Sequence, residues 1–319
     1  MLRVFEAFAG YGSQSIALRN LGIEYEVIAI SEIDKYAIKA YEAIHGPTNN
    51  LGDICKIDPK DIPDHDLFTY SFPCQDLSVA GKQAGLGKGT RSGLLYECEK
   101  IIEYCRPKYL LLENVKNLVG KKFKPQFDKW LEYLESLGYT NYWQVLNAKN
   151  YGVPQNRERV FVVSILGDHK PYEFADKIPL DKFIADILED EVDEKYYLSK
   201  EVGYIEIDLP CIAASRGRNP ENPSDRTAGA PTEQRFEFNT KGTSNTITTV
   251  QKDNYVVEVT YRIRKLTPRE CFRLMGMRDD DIDKIQAAGI SNTQQYKMAG
   301  NSIVVDVLEA IFKNLFMEG

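Results

Sequence analysis

The sequence predicts an α/β protein, a mostly parallel sheet with helices on both faces, carrying a second, smaller and irregular domain. Three observations predict it. Short apolar runs at residues 4–8, 27–30, 67–70 and 109–112 alternate with amphipathic stretches such as 36–44 and 94–105, and strands alternating with helices are the pattern of a parallel sheet covered on both sides. From Gly167 to Thr260 the composition shifts to Pro, Gly, Asn, Thr and Arg with little periodicity. Residues 302–316 then regain helical spacing, with Ile303, Val304, Val307, Leu308, Ile311, Phe312 and Leu315 on one face.

The first domain is therefore expected at 1–170 and 295–319, discontinuous in sequence, and the smaller domain at 171–294. Within the smaller domain Pro220 and Pro223 exclude a helix or central strand over 215–227. Neither internal repeats nor low-complexity tracts are present. The hydrophobic content of 43% and charged content of 27% suit a soluble globular chain. No apolar run approaches the roughly 20 residues of a membrane span. The chain starts directly on a strand-like run, Met1-Leu2-Arg3-Val4-Phe5, with no signal-peptide pattern, so a cytoplasmic protein is expected.

The six cysteines are scattered, without a CxxC pair or a His-rich partner segment. This argues against a zinc site and a disulfide framework and leaves them as reduced, buried small hydrophobes. The net charge of -7 does not exclude nucleic acid, because binding needs only a local basic surface. Candidate surfaces are Arg157 with Arg159, then Arg216, Arg218, Arg226 and Arg235, and then Arg262, Arg264, Lys265, Arg269 and Arg273. The acidic runs at 186–194 and 279–283 read as solvated faces.

In an open α/β sheet, ligands bind beyond the carboxyl ends of the strands. There the first strand runs into Ala9-Gly10-Tyr11-Gly12-Ser13 ahead of a helix, a place where glycines let backbone approach a ligand at a helix N-terminus. Glu32, at the end of the second strand, is placed for a pair of ribose hydroxyls, and Asp53 for an adenine amino group. A dinucleotide fingerprint needs a third glycine at position 15, which is Ser15. Together these residues favour an adenosine-containing ligand without saying which.

After the strand at 67–70 comes Ser71-Phe72-Pro73-Cys74-Gln75. Pro73 holds Phe72 extended and stiffens the approach to Cys74, which puts a cysteine on a rigid loop at the ligand edge. The run from Ser78 to Arg91 carries Gly81, Gly85, Gly87 and Gly89 with Lys82 and Lys88, as a loop closing over a polyanion and excluding water would. The strand at 109–112, read as the last buried one, ends in Glu113-Asn114-Val115. A carboxyl at such an edge beside an apolar wall has a raised pKa and serves as a proton donor.

At this point the motifs resemble, in order and along nearly the whole chain, those of the C5-cytosine-specific DNA methyltransferases of bacterial and phage type. Phe8-Ala9-Gly10-Tyr11-Gly12 resembles the cofactor motif, Phe72-Pro73-Cys74-Gln75 the catalytic loop and Glu113-Asn114-Val115 the ENV motif. Gln155-Asn156-Arg157-Glu158-Arg159 is similar to the QxRxR element. Arg264-Lys265-Leu266-Thr267-Pro268-Arg269-Glu270 is similar to the segment supporting the recognition domain, and Ala299-Gly300-Asn301-Ser302 to the closing GNS motif.

The resemblance implies a Rossmann-like, class I methyltransferase fold with a target-recognition domain. It implies S-adenosyl-L-methionine as cofactor, S-adenosyl-L-homocysteine as product, and double-stranded DNA as substrate. Cys74 would add to C6 of a cytosine flipped out of the duplex, Glu113 would engage N3, Arg159 would bind O2 and orient Glu113, and Arg157 would support the catalytic loop and phosphates. Cofactor contacts are expected from Phe8, Gly10, Tyr11, Gly12, Ser13, Glu32, Ile33, Asp53, Ile54, Pro73, Leu94, Asn301 and Ser302. DNA contacts are expected from Ser78, Lys82, Gln83, Arg91, Arg216, Arg218 and Thr246. A monomer is expected, with a restriction endonuclease as functional companion and no metal.

Three readings compete. A tRNA cytosine-5 methyltransferase of the same family would carry a Cys-Phe-Thr tripeptide, whereas Cys271-Phe272 continues with Arg273. A nicotinamide-dependent oxidoreductase leaves Cys74 and Glu113 unexplained. A catalytically dead DNA-binding relative should have lost the nucleophile.

Overall fold

The computed structural model describes residues 1–73, 91–198, 210–225, 231–249, 254–257 and 262–317, with the side chains of residues 91 and 92 excepted. Among these the strands are β1 (Leu2–Ala7), β2 (Tyr25–Ser31), β3 (Leu67–Tyr70), β4 (Tyr109–Val115), β5 (Tyr139–Asn147), β6 (Gln155–Asn156), β7 (Glu158–Leu166), β8 (Cys211–Arg218), β9 (Glu233–Asn239), β10 (Ser244–Asn245), β11 (Tyr255–Val257) and β12 (Ile263–Lys265). The helices are α1 (Ser13–Asn20), α2 (Lys35–His45), α3 (Leu95–Cys105), α4 (Lys124–Ser136), α5 (Pro268–Arg273), α6 (Asp279–Ala287), α7 (Asn292–Asn301) and α8 (Val305–Phe316).

Six strands form the main sheet in the order β2-β1-β3-β4-β7-β5. The first four are parallel, and β7 runs antiparallel to both β4 and β5. The apolar run at 109–112 is thus not the last buried strand, because β7 covers its free edge. Alternation along β1 splits the core. Val4 joins Leu67, Leu111 and Phe161 on the face covered by α1, α2 and α8. Phe5 and Ala7 join Phe68, Leu110 and Val162 on the face covered by α3 and α4, as expected of strands buried on both sides.

The chain leaves β1 towards β2 on one side and returns to β3 on the other. The carboxyl ends of β1 and β3 therefore flank a topological switch point, where an open sheet leaves a crevice. The second sheet is antiparallel, in the order β12-β11-β8-β9. Its faces also divide: Ile212 and Val256 pack into the large core, while Cys211, Ala213, Tyr255, Val257 and Ile263 form a small one.

Helices α5 to α8 bury Phe272, Ile282, Tyr296 and Leu308 in the cluster that holds Val4 and Ile16. Residues 266–290 thus share one core with the main sheet, as Ile212 and Val256 of the second sheet also do. A capping box starts α5, with Thr267 accepting from the Glu270 amide, Glu270 reaching back to the Thr267 amide, and Pro268 in the first turn. The terminal helical spacing begins at Val305 rather than 302, after α7 ends at Asn301.

This packing corrects a part of each of two charge readings. Arg264 is fully buried against Glu270. Arg269 and Arg273 are paired with Asp279, and Arg269 also with Glu189 and Asp283, so these three arginines are bound up by carboxylates, while Arg262, paired with Glu194, stays exposed and Lys265 is half-buried. The 279–283 run keeps a solvated face through Asp279, Asp280 and Asp283, whereas Asp281 is buried and pairs with Arg19 and Lys284. Among the five cysteines described, all are free, and Cys55 is exposed rather than buried.

Candidate active site

Four loops at the carboxyl ends of β1, β2, β3 and β4 converge on the crevice. After β1, Phe8 adopts φ +56°, a left-handed conformation that a bulky residue takes only under constraint. Its amide donates to the Ser31 carbonyl at 2.8 Å, fixing β1 to the end of β2. Gly12 precedes α1 with φ +82°, and a Cβ there would lie 2.5 Å from His45 Nε2 and 2.7 Å from Tyr41. Only glycine fits. Tyr11 turns inward, buried, and donates to Ser302 Oγ at 2.7 Å.

Glu32 accepts from the backbone amides of Gly10 (2.9 Å), Ile33 (2.8 Å) and Asp34 (2.8 Å). Its position is set by Asn50, which the sequence reading missed. Asn50 Oδ1 accepts from the amides of Glu32 (3.2 Å) and Gly52 (3.0 Å), and Nδ2 donates to the Glu32 carbonyl (3.0 Å). Ser31 Oγ adds a bond to the Gly52 carbonyl at 2.7 Å. One amide side chain thus ties the loop bearing Glu32 to the loop bearing Asp53, which caps a short turn through the Cys55 amide. Beside Glu32, Ile33 is 74% exposed, while Ile54 is buried and Pro73 and Leu94 are half-buried.

These residues fit an adenosine-bearing cofactor. No described atom lies within 4 Å of where a Cβ on Gly10 would be, so backbone is open to close approach. An exposed aliphatic side chain, Ile33, stands next to a carboxylate with three amide donors and room for a further one.

Phe72 is buried at the end of the β3 loop, and its carbonyl accepts from Asn114 Nδ2 at 3.1 Å. Asn114 Oδ1 in turn accepts from the Val115 amide. The backbone one residue before Pro73 is therefore anchored to the residue beside Glu113. Cys74, Ser78, Lys82 and Gln83 lie outside the described residues, as does the side chain of Arg91.

Glu113 and Arg159 meet across neighbouring strands. Glu113 is opposite Phe161 and Val115 opposite Arg159, so the two side chains are diagonal neighbours on one face. Arg159 Nε lies 3.2 Å from Glu113 Oε1, with the side chains 18% and 10% exposed. Burial raises the Glu113 carboxyl above its ordinary range, opposed by the charges of Arg159 and Arg157.

The 155–159 segment alternates. Gln155 and Arg157 point inward, and Asn156 and Glu158 outward. Gln155 holds the Leu274 carbonyl and the Ile247 amide. Arg157, 3% exposed, donates to the carbonyls of Ser302 (2.8 Å), Gly300 (3.1 Å) and Ile247 (3.5 Å). The expected role on phosphates is thus corrected, because this guanidinium is buried as a clamp between β7, the 247 segment and the end of α7. Gly300 allows that closeness: a Cβ there would meet backbone atoms of Thr248 and Thr249 at 2.7–2.9 Å. Asn301 is exposed at the end of α7, and Thr246 Oγ1 donates to the Asn156 carbonyl at 2.8 Å, next to this clamp.

Arg216 and Arg218 stand two apart on β8, and both contact Glu237 on β9. Among the described residues, no group of acidic, histidine or cysteine side chains is arranged to hold a metal.

Fold and site together define an enzyme that works in the crevice of a doubly wound sheet, and the chain belongs to the C-5 cytosine-specific DNA methylase family, whose profile matches residues 2–317. It is 41% identical to the type II methyltransferase M2.ScrFI of Lactococcus lactis subsp. cremoris, over 99% of both chains. It is 33% identical to the orphan methyltransferase M.SPBetaI of Bacillus phage SPbeta, over 98% of this chain and 97% of that one. The protein is a DNA cytosine-5 methyltransferase. Its fold is shared with the methyltransferase EhMeth of Entamoeba histolytica (TM-score 0.75, 18% identity, 100% and 98% of the two chains). It is shared also with the Dnmt2 methyltransferase of S. pombe (TM-score 0.69, 21% identity, 100% and 99%).

Proposed function

We propose that the protein methylates C5 of a cytosine flipped out of duplex DNA, with Cys74 as nucleophile and S-adenosyl-L-methionine as methyl donor. The observation that carries this reading is the Asn114–Phe72 bond, which locks the approach to Cys74 onto the strand that presents Glu113. S-adenosyl-L-methionine, when bound, supplies an electrophilic methyl group. Phe8, Gly10, Tyr11, Gly12, Ser13, Glu32, Ile33, Asp53, Ile54, Pro73, Leu94, Asn301 and Ser302 form its site. Glu32 would take the ribose hydroxyls and Ile33 the adenine face, whereas Tyr11 and Ile54 would act from below through packing.

The Cys74 thiolate would add to C6 and make C5 nucleophilic; as the C5–C6 π pair forms the bond from C5 to the donor's methyl carbon, the methyl–sulfonium bond would break and S-adenosyl-L-homocysteine would leave. Loss of the C5 proton to a base and expulsion of the thiolate restore the aromatic ring. Cys74 thus ends as it began. Glu113, kept protonated more readily by its burial, hydrogen-bonds N3 and draws electron density from the ring as sulfur adds. Such a positioned acid contributes about 10²–10⁴-fold. Arg159 orients Glu113 and reaches O2, and Arg157 holds the floor of the site rather than touching DNA.

The small sheet with Thr246 forms the recognition side, and Ser78, Lys82, Gln83 and Arg91 the closing loop, whose phosphate and base contacts set affinity and specificity. A monomer acting in the cytoplasm, with a restriction endonuclease as functional companion, suits this reading. No described helix is long and apolar enough to cross a membrane.

The test is duplex DNA carrying 5-fluorocytosine at sites mapped by bisulfite sequencing of DNA from expressing cells. Fluorine cannot leave as a proton, so a covalent adduct should accumulate with the wild-type chain and be absent with Cys74→Ser. Adduct formation by the serine variant, or labelling of tRNA in place of DNA, would overturn the proposal.

A further inference from the structure

On β8 and β9, Ala214, Arg216 and Arg218 share one face with Glu233, Arg235 and Glu237, because directly opposed residues of an antiparallel pair point the same way. At its base this face carries Ile212, which packs into the large core, and Asn239, which donates to Asn245 Oδ1 beside Thr246. The ladder of charges therefore continues the surface that borders the site. Within it Glu237 sits between two guanidiniums. Its Oε2 is 3.4 Å from Arg216 Nε, and its Oε1 accepts from Arg218 Nε. Arg216 and Glu237 are 41% and 40% exposed, whereas Arg218 is 15% exposed.

We propose that Glu237 is a specificity-determining residue: it hydrogen-bonds Arg218 through Nε and holds Arg216 beside it as an ion pair, so that Arg216 meets a guanine edge end-on while casual phosphate contacts are suppressed. Two consequences follow from the geometry. An arginine whose Nε faces a carboxylate, as Arg216 does at 3.4 Å, turns its outer Nη1/Nη2 fork away from that carboxylate, and the fork matches guanine O6 and N7. The carboxylate also lowers the charge of the pair from +2 to +1, so a phosphate must displace it before gaining a full ion pair. Both effects favour reading over mere attraction. Arg218, the less exposed of the two, is the positioning member, and Arg216 the group that reaches the duplex.

This inference rests on the methyltransferase reading of the cleft, and the experiment keeps the two apart. Binding of wild-type and Glu237→Gln chains is measured by fluorescence polarisation over a series of salt concentrations. The probes are a duplex of about 20 base pairs of random sequence and one carrying the site mapped by bisulfite sequencing. Glutamine keeps the size and one acceptor but removes the charge. The variant should bind the random duplex about 5- to 10-fold more tightly at 0.1 M salt, with a log–log salt slope steeper by about 1, the signature of one extra phosphate contact. Binding to the mapped site should change less than about two-fold, so discrimination falls by roughly the same 5- to 10-fold. The control is Glu26→Gln, an exposed change of equal charge on β2. Unchanged slope and discrimination, or an equal shift in the control, would refute the role of Glu237. Absence of DNA methylation by the wild type would instead count against the methyltransferase reading, and the slope on the random duplex would still decide whether Glu237 restrains the arginines.

Discussion

Arginine–glutamate contacts hold two regions of this molecule, and they are built in opposite ways. Arg264 and Glu270, both fully buried, meet through two bonds of 2.7 and 2.8 Å. Glu270 also accepts from the amides of Thr267 (2.7 Å) and Glu189 (2.9 Å). Every oxygen is used, so the pair is a lock between β12, α5 and the 189 segment. Glu113 and Arg159 approach to 3.2 Å at the edge of the crevice, Arg159 Nη1 also donates to the Glu158 carbonyl at 2.8 Å, and the capacity that remains on both groups is left for another molecule. The difference teaches how to separate structural from chemical charge here. Saturated pairs hold the fold, and under-used pairs face the work.

The largest effect should come from the under-used pair. Glu113→Gln keeps a hydrogen bond to the base but loses the proton, and kcat should fall about 10²–10⁴-fold, with thermal stability unchanged and cofactor affinity within a few-fold by calorimetry. Near-normal turnover would erase the distinction drawn above. The saturated pair predicts the reverse phenotype. Arg264→Met strands a buried carboxylate, so urea denaturation should show a loss of about 3–5 kcal/mol. Adding Glu270→Gln in the same chain should return much of that loss, since no buried charge then remains. If the single change is tolerated, the pair is not a lock.

How far the sequence revealed these regions depends on where each partner lies along the chain. The strands at 67–70 and 109–112 were legible because each is a continuous apolar run, buried on both faces. The antiparallel strand β7 was not, although Val160, Phe161, Val162 and Val163 are just as apolar, because its start was occupied by the charged 155–159 motif. β5 was hidden by exposed polar positions along an edge strand. The residues at the carboxyl ends could be found from short spacings, as with Gly10, Gly12 and Glu32. Arg157 could not be told from a surface arginine, since its acceptors are carbonyls 90 to 145 residues away. Arg269 and Arg273 looked basic because their carboxylate partners at 189 and 279–283 lie outside the motif and are brought to them by folding. Asn50 carries no motif at all, and its role is written in the geometry of two loops.

A buried carboxyl within the main sheet sharpens the comparison through pH. Glu6 is buried, accepts from Ser15 Oγ (2.8 Å) and Tyr41 OH (2.9 Å), and is pushed up by desolvation to about 7 from an ordinary 4.5. It stays protonated in the fold while the unfolded chain ionises. Stability from this source is therefore fully present below pH 4.5 and is lost as pH rises to about 7, a difference of roughly 3 kcal/mol. The His45 imidazole, lowered by burial to about 4, acts in the opposite direction, but equally in wild type and variant. Glu6→Gln should thus gain on the wild type between pH 4.5 and 8 by about that amount in urea denaturation. A constant difference at all pH values would show that Glu6 is ionised in the fold.

The smallest effect tests whether positioning can be separated from chemistry. Asn50 makes three bonds that hold Glu32 and Gly52 in register, yet it lies on the loop before Asp53 and not in the β3–β4 region where Glu113 acts. Asn50→Ala should raise KM for S-adenosyl-L-methionine by about tenfold, close to the 1.4 kcal/mol that one or two net hydrogen bonds are worth, while kcat at saturating cofactor changes less than two-fold. Asn50→Asp keeps the two accepted bonds and loses the donated one, so its KM should fall between the two chains. A loss confined to kcat, or a drop in thermal stability that accounts for the whole change, would mean that Asn50 supports the fold rather than the spacing of the two carboxylates. An intermediate aspartate with unaltered kcat would instead tie cofactor affinity to the distance between Glu32 and Asp53, independently of the proton held at Glu113.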